Sequence, residues 1–219
     1  MPHERRVEQY GSFHAFAQAL GPPRPYAAKF GIPMFSPAEW PPGVKKTLDG
    51  VLRVHFGVLD YDDVPLGDLV QLLARIDVPY VFCSSWSHGD PYKTRLALER
   101  MEERGAGRAE AIDRLLAGWD GPPNEPPRLV RGRLILPFSR PVEIGEWKRV
   151  WSALAGRYSH GRATVDRACS DASHCYFVPA HPQNPPAEPL YVDQSLGRHL
   201  WGGLVQGGGP AGPQGASCS

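Results

Sequence analysis

Residues Val54-His55-Phe56-Gly57-Val58-Leu59-Asp60-Tyr61-Asp62-Asp63 form an apolar run that ends in three carboxylates within four positions. The run reads as a buried strand carrying acid at its C-terminal end. Side chains two apart on a strand point to the same face, so Asp60 and Asp62 converge on one point. Two carboxylates held together raise one another's pKa unless a cation sits between them. Hard oxygen donors of this kind suit Mg²⁺ or Mn²⁺, which bind through one or two carboxylates together with substrate phosphates. The stretch also has a purely structural use, because Asp62 and Asp63 can open a turn or cap the helix that follows.

Working outward toward the C-terminus, Leu66, Leu69, Val70, Leu72, Leu73 and Ile76 recur with helical period, and Val78-Pro79-Tyr80-Val81-Phe82-Cys83 reads as a second strand. Strand, helix and strand in about 30 residues make a βαβ-like unit. The second strand runs into Ser84-Ser85-Trp86-Ser87-His88-Gly89, a cluster of hydroxyls with one imidazole. If the two strands are parallel neighbours, this cluster lies beside Asp60 and Asp62, since ligands gather outside the carboxyl ends of strands in open α/β sheets. Residues 91–127 are charged and helical in their first part and close on Gly121-Pro122-Pro123-Asn124-Glu125-Pro126-Pro127, a clear loop, which together read as an inserted helical hairpin, a lid or a spacer. The next strand, Leu129 to Phe138, alternates bases with apolar residues, and Arg131 and Arg133 share one face of it. Pro141 to Leu154 then reads as a helix with Trp147, Val150, Trp151 and Leu154 on its buried side. Cys175 to Pro179 is expected to be a final short strand.

Toward the N-terminus, Phe13, Phe16, Ala17 and Leu20 sit at helical spacing ahead of a hard stop at Gly21-Pro22-Pro23. Between Arg24 and Gly50 prolines alternate with Tyr26, Phe30, Phe35 and Trp40, which reads as an irregular packed arm, since disordered segments are poor in aromatics. Lys45, Lys46 and Arg53 read as solvated surface. The expected organisation is an arm over 1–50, a core domain over 51–190 with its insertion at 91–127, and a Gly/Pro-rich disordered tail over 191–219.

The 219 residues carry 24 Lys and Arg against 23 Asp and Glu, a net charge of +1, so no global basic field advertises a nucleic-acid partner. No apolar run of about 18 residues exists to span a membrane, and Met-Pro-His-Glu-Arg-Arg lacks the apolar segment of a secretory signal. A cytosolic location with no membrane partner is the expectation. The cysteines Cys83, Cys169, Cys175 and Cys218 show no C-x-x-C spacing. Cys169 and Cys175 flank His174 in a pattern open to zinc, but ordinary reduced thiols account for them more simply.

In order, the chain presents Asp-x-Asp on a strand, a helix, Ser-Ser-x-Ser-His-Gly after a strand, Arg-x-Arg-Leu-Ile-Leu-Pro-Phe-Ser-Arg-Pro-Val, a Glu-Trp helix, and Asp-x-x-Cys-x-Asp-x-Ser before Tyr-Phe-Val-Pro. From about residue 33 to about 186, this set resembles the primase-polymerase (archaeo-eukaryotic primase) superfamily, in the branch found in bacterial mobile elements and phages. The arm around Lys29 and Ile32-Pro33-Met34-Phe35-Ser36-Pro37-Ala38 is similar to the segment that precedes the first motif there. The resemblance implies an α/β (α+β) fold, a mixed sheet with flanking helices of the RRM-like palm kind. It also implies a nucleotidyltransferase that uses Mg²⁺ or Mn²⁺ and nucleoside triphosphates on a single-stranded or primed DNA template, with a separate helicase as a possible partner. Carried over, Asp60, Asp62 and Asp166 hold the metals, Arg131 and Arg133 hold phosphate, and Ser85, His88 and His174 line the nucleotide pocket.

This chain departs from that branch at Trp86, where relatives tend to have an imidazole, and at His174, where they have an arginine. An indole cannot accept a hydrogen bond, and a neutral imidazole holds a triphosphate less firmly than a fixed cation. Both changes are compatible with a catalytically degenerate protein that only binds DNA. A phosphatase of the haloacid-dehalogenase type is similar in its first two motifs, with Asp60 as nucleophile, Asp62 as general acid and Ser84 or Ser85 as phosphate anchor. That reading leaves the Arg131/Arg133 strand unexplained and finds Asp166 and Asp171 poorly placed.

Overall fold

The computed structural model describes residues 10–43, 47–103, 129–161 and 163–196. Lys45 and Lys46, residues 104–127 of the expected helical insertion with its 121–127 loop, and the tail beyond 196 lie outside these residues.

The fold is mixed α+β, built on a five-stranded sheet. The decisive strands are β4 (Arg53–Val64), β5 (Val81–Ser84) and β6 (Val130–Glu143), joined by β3 (Ala38–Glu39) at one edge and β9 (Tyr191–Asp193) at the other, in the order β3-β4-β6-β5-β9. Helix α2 (Leu66–Ala74) links β4 to β5, and both strands pair antiparallel with β6. β4 and β5 therefore run parallel but are not neighbours, which corrects the simple βαβ expectation. The return strand inserts between them and puts Arg131 and Arg133 where the hydroxyl cluster was expected.

Alternation along these strands separates two faces. Leu59, Tyr61, Phe82, Leu134 and Leu136 pack on α2 and on α4 (Ile144–Arg157), whose Trp147 and Trp151 are buried as expected. The helix starts three residues later than its sequence suggests, because Pro141, Val142 and Glu143 still belong to β6. On the other face, Val58, Val81, Cys83 and Ile135 meet α1 (Phe13–Leu20) and Tyr176. α1 begins at Ser12, whose hydroxyl accepts the Ala15 N–H, and stops at Gly21 in the left-handed region at φ 64°. These two caps explain why the helix stays short.

The proline-rich arm is tied to the C-terminal segment by two small pairings. β1 (Arg24–Tyr26) runs parallel to β8 (Ala180–Pro182), and β2 (Met34–Phe35) runs antiparallel to β7 (Tyr176–Phe177). Phe35 reaches the second core, whereas Phe30 is 91% exposed, so the arm is packed at only some of its aromatics. β9 pairs with β5, and Ser195 just beyond it is buried, so the sheet continues past the boundary expected at residue 190. Helix α3 (Pro91–Glu103) is the described part of the insertion. Among the described residues no helix is long and apolar enough to cross a membrane.

Candidate carboxylate centre

Asp60 lies on the face of β4 that holds Val58, the face away from α2 and α4. Its cross-strand partner on β6 is Arg133, which in turn faces Cys83 on β5. Arg133 Nε stands 2.8 Å from Asp60 Oδ1, while the N–H itself has no aligned acceptor, so the contact is an ion pair rather than a directed hydrogen bond. The same guanidinium donates to the Phe177 carbonyl at 3.0 Å and lies 5.6 Å from the Tyr176 ring centroid. Strand β7 thereby fixes the outer end of Arg133.

Past Tyr61 the β4–β6 register slips, with Tyr61 opposite Gly132 and Val64 opposite Val130. The extra residue is a bulge, and bulges re-aim side chains near sheet edges. Asp63 takes it up at φ 59°, in the left-handed region that Asp tolerates better than most residues. The result is that Asp62 and Asp63 face one arginine. Arg131 pairs with Asp63 and reaches Asp62 Oδ1 at 3.6 Å. Arg131, expected to hold phosphate, is thus held by protein carboxylates. Asp63, set down from sequence only as a turn former or cap, is its principal partner.

The third carboxylate arrives from a distant part of the chain. Tyr61 forms an antiparallel bridge with Val165, and the Asp166 N–H donates to the Asp60 carbonyl at 2.8 Å. Asp166 then caps a short helical turn, Arg167–Cys169, by accepting the Ala168 N–H at 2.9 Å. The turn is anchored from α4, where Trp147 Nε1 donates to the Ser170 carbonyl at 2.8 Å. Of the carboxylates picked out in the sequence, Asp60 and Asp166 are in this way brought together around Cys169, whereas Asp62 stands with Arg131 and Asp63 and feels the other two as neighbouring charges. Their mutual repulsion is visible at Asp62, whose pKa is raised by burial and further by Asp63, Asp60 and Asp166, against the pull of Arg131.

The turn also brings Cys169, which sequence reading had set aside. Its thiol donates to Asp60 Oδ2 at 3.2 Å and lies 3.8 Å from Asp166 Oδ2. Burial and the surrounding carboxylates push this thiol well above its ordinary pKa, so it is protonated when no cation is near. His174 completes the group, since one donor atom each of Asp60, Cys169 and His174 lies within 4.8 Å of the others. Cys175 is not part of this group. The His174 ring rests 4.7 Å from Tyr176, and its backbone is held by Asp171 and Ser36.

The hydroxyl cluster after β5 has a different use. Ser84 is buried and its hydroxyl accepts the Leu190 N–H at 3.0 Å, which engages one of the two hydroxyls the phosphatase reading offers as a phosphate anchor. Ser85 is half-buried, with its N–H on the Arg131 carbonyl. His88 is buried, accepts the Arg131 N–H at a long 3.5 Å, and interacts with the Glu188 backbone. Burial lowers its pKa more than that backbone bond raises it. His88 therefore braces β6 against the segment before β9. A hollow between the ends of α2 and α4, lined by Leu72, Arg75, Ile76, Arg157, Tyr158 and His160, lies apart from this centre.

Comparison with protein-family models, with curated proteins and with solved structures finds no match to this chain.

Proposed function

We propose that the chain is a metal-dependent nucleotidyltransferase of the primase-polymerase kind, acting on a single-stranded or primed DNA template in mobile-element or phage replication. The observation that carries this reading is the concentration of acid at the end of β4, where Asp60 and Asp166 flank the Cys169 thiol and the charges of Asp60, Asp63 and Asp166 all raise the Asp62 pKa. Four carboxylates, Asp60, Asp62, Asp63 and Asp166, stand against two guanidiniums, Arg131 and Arg133. The excess negative charge fits a divalent cation, and the oxygen donors fit Mg²⁺ or Mn²⁺. A mixed sheet with α2 and α4 on one face, and α1 and the acid on the other, agrees with a palm-like core, although that likeness is one of architecture.

Asp60, Asp62 and Asp166 would hold such ions, which when bound neutralise a triphosphate and activate a 3′-hydroxyl for in-line transfer. Arg133 has five N–H donors and gives one to Phe177, so it keeps donors for a phosphate oxygen. Its unaligned contact with Asp60 is suited to exchange when an incoming phosphate competes for the guanidinium. Template contacts to phosphate make DNA binding weaken with rising salt. Unwinding would come from a separate helicase.

The test is nucleotide incorporation on primed and unprimed single-stranded templates with Mg²⁺ or Mn²⁺, offering ribonucleotides and deoxyribonucleotides, with Asp60→Ala beside the native chain. Metal-dependent extension that disappears in the variant is the expected result. Folded native protein that incorporates neither nucleotide type, yet keeps its DNA affinity in EDTA, overturns catalysis in favour of a DNA-binding remnant.

A further inference from the structure

We propose that Asp60, Cys169 and His174 form a binding site for one thiophilic divalent ion of the zinc class, distinct in its donors from the all-oxygen set of Asp60, Asp62 and Asp166. A carboxylate, a thiol and an imidazole brought together from three chain segments form a mixed donor set that Zn²⁺ accepts, whereas Mg²⁺ prefers oxygen alone. Three protein ligands with a fourth position open is the usual composition of a non-structural zinc site. The partial exposure of Asp60 and His174 leaves that position accessible to solvent.

The distances are near those required. Donors around a tetrahedral zinc ion stand roughly 3.3–3.8 Å apart, given bonds of about 2.0–2.3 Å. Cys169 Sγ and Asp60 Oδ2 are already 3.2 Å apart, and the full set, within 4.8 Å, needs to close by only about 1 Å. The surrounding structure orients each ligand as outer-shell partners do. Arg133 holds Asp60 Oδ1 and leaves Oδ2 toward Cys169, Trp147 anchors the turn carrying Cys169, and Tyr176 supports the His174 ring. Binding forms a metal–sulfur bond and breaks the S–H bond, and the thiol proton leaves to solvent.

Asp60 belongs to both donor sets, so an ion of this class occupies the carboxylate that the Mg²⁺ or Mn²⁺ reaction needs. Inhibition by stoichiometric Zn²⁺ is the consequence, and that consequence alone rests on the nucleotidyltransferase reading. Binding itself does not.

Co²⁺ titrated into the full chain reads the site directly, since a cobalt–thiolate bond gives a near-ultraviolet charge-transfer band and four-coordinate Co²⁺ gives intense visible bands. The expected result is a thiolate band at one equivalent, removed by one equivalent of Zn²⁺. Cys169→Ser abolishes it, Cys175→Ser keeps it, and His174→Gln weakens Co²⁺ affinity at least tenfold. No thiolate band in the native chain overturns the site. So does a band that survives Cys169→Ser, or a native affinity retained in His174→Gln, a substitution at a partly exposed ring that tests the site even if the cysteine variant misfolds. Incorporation assayed in Mg²⁺ with and without Zn²⁺ then separates the two ideas: absent incorporation sinks the catalytic reading while the cobalt band still decides the binding site.

Discussion

Arg133 and Asp60 face each other across the β4–β6 ladder, with Nε 2.8 Å from Oδ1 and no aligned hydrogen bond between them. The arginine thus restrains the carboxylate without saturating it. Replacing it by a shorter neutral side chain removes both a competitor for the metal ligand and a donor for phosphate. Arg133→Gln is expected to raise the nucleotide KM and lower kcat/KM about 10- to 100-fold, the worth of a charged hydrogen bond of roughly 1.5–3 kcal/mol. The Mn²⁺ concentration for half-maximal rate should fall. Steady-state incorporation over a matrix of metal and nucleotide concentrations measures both, and a fall in kcat with unchanged KM would contradict phosphate binding by Arg133.

Asp62 carries a pKa raised by burial and by neighbouring carboxylates. The folded state therefore holds its proton to higher pH than the unfolded chain, so this group's contribution to stability falls as pH rises from the unfolded pKa through the folded one. Above that window, Asp62→Asn should stabilise the metal-free protein. The side chain is 53% exposed, so solvent screening keeps the gain to a few tenths of a kcal/mol, about 0.5 at most. The same variant should lose incorporation. Thermal unfolding at pH 7 in EDTA checks the first part, and a lower melting temperature than native would refute it.

Metal linkage supplies an independent check. If Mg²⁺ or Mn²⁺ binds the folded centre, its addition to metal-free protein should raise the melting temperature, by an amount equivalent to about 2.7 kcal/mol at a hundredfold excess over Kd. Asp166→Asn should abolish most of that rise. An equal shift in native and variant protein would mean that the ions act elsewhere.

Gly132 sits between the two arginines, opposite both Tyr61 and Ser84. A Cβ there would lie 2.5 Å from Phe82 Cζ and 2.7 Å from the Cys83 carbonyl oxygen. Backbone cannot yield as a flexible side chain does, so Gly132→Ala is expected to cost about 1–3 kcal/mol as an overpacking change and to impair incorporation by moving Arg131 and Arg133. Urea denaturation gives the stability cost, and a value within error of native would show that the strands separate freely.

Glu39 on β3 accepts from Arg53 at 2.8 and 3.0 Å and pairs with His55 at 2.7 Å. Its hydrogen bonds to Arg53, then to His55, hold its pKa down at about 2. The stability it provides is present above its unfolded pKa near 4.5 and is lost as pH falls through about 2. Glu39→Gln should cost at most about 1 kcal/mol at pH 7, discounted for its exposure, and progressively less as acid removes the charge in the native chain. Denaturant melts of both proteins between pH 7 and pH 2 should converge, and a constant gap would contradict the pairing.

Local patterns carried much of this structure in legible form. The apolar run into Asp60 is the strand β4, the alternation around Arg131 and Arg133 gives their shared face, and the spacing of Trp147 and Trp151 marks the buried side of α4. Each of these depends on period alone, which is a property of neighbouring residues. His88 shows what such reasoning does not reach. Polar residues after a strand suggest a ligand pocket, yet its ring is buried against the Arg131 N–H, a partner 43 positions away.

By itself the sequence determined the helices α1, α2 and α4, the strands β4, β5 and β6, the acidic end of β4 and the placing of two arginines on one strand, because hydrophobic alternation and turn chemistry act over a few residues. Only the tertiary structure decided that β6 enters between β4 and β5, that a bulge sets Asp62 and Asp63 against Arg131, and that Cys169 comes to Asp60 from 109 positions along the chain. Those relationships arise from strand pairing and from the burial of two opposite faces, free energies gained only when distant segments meet.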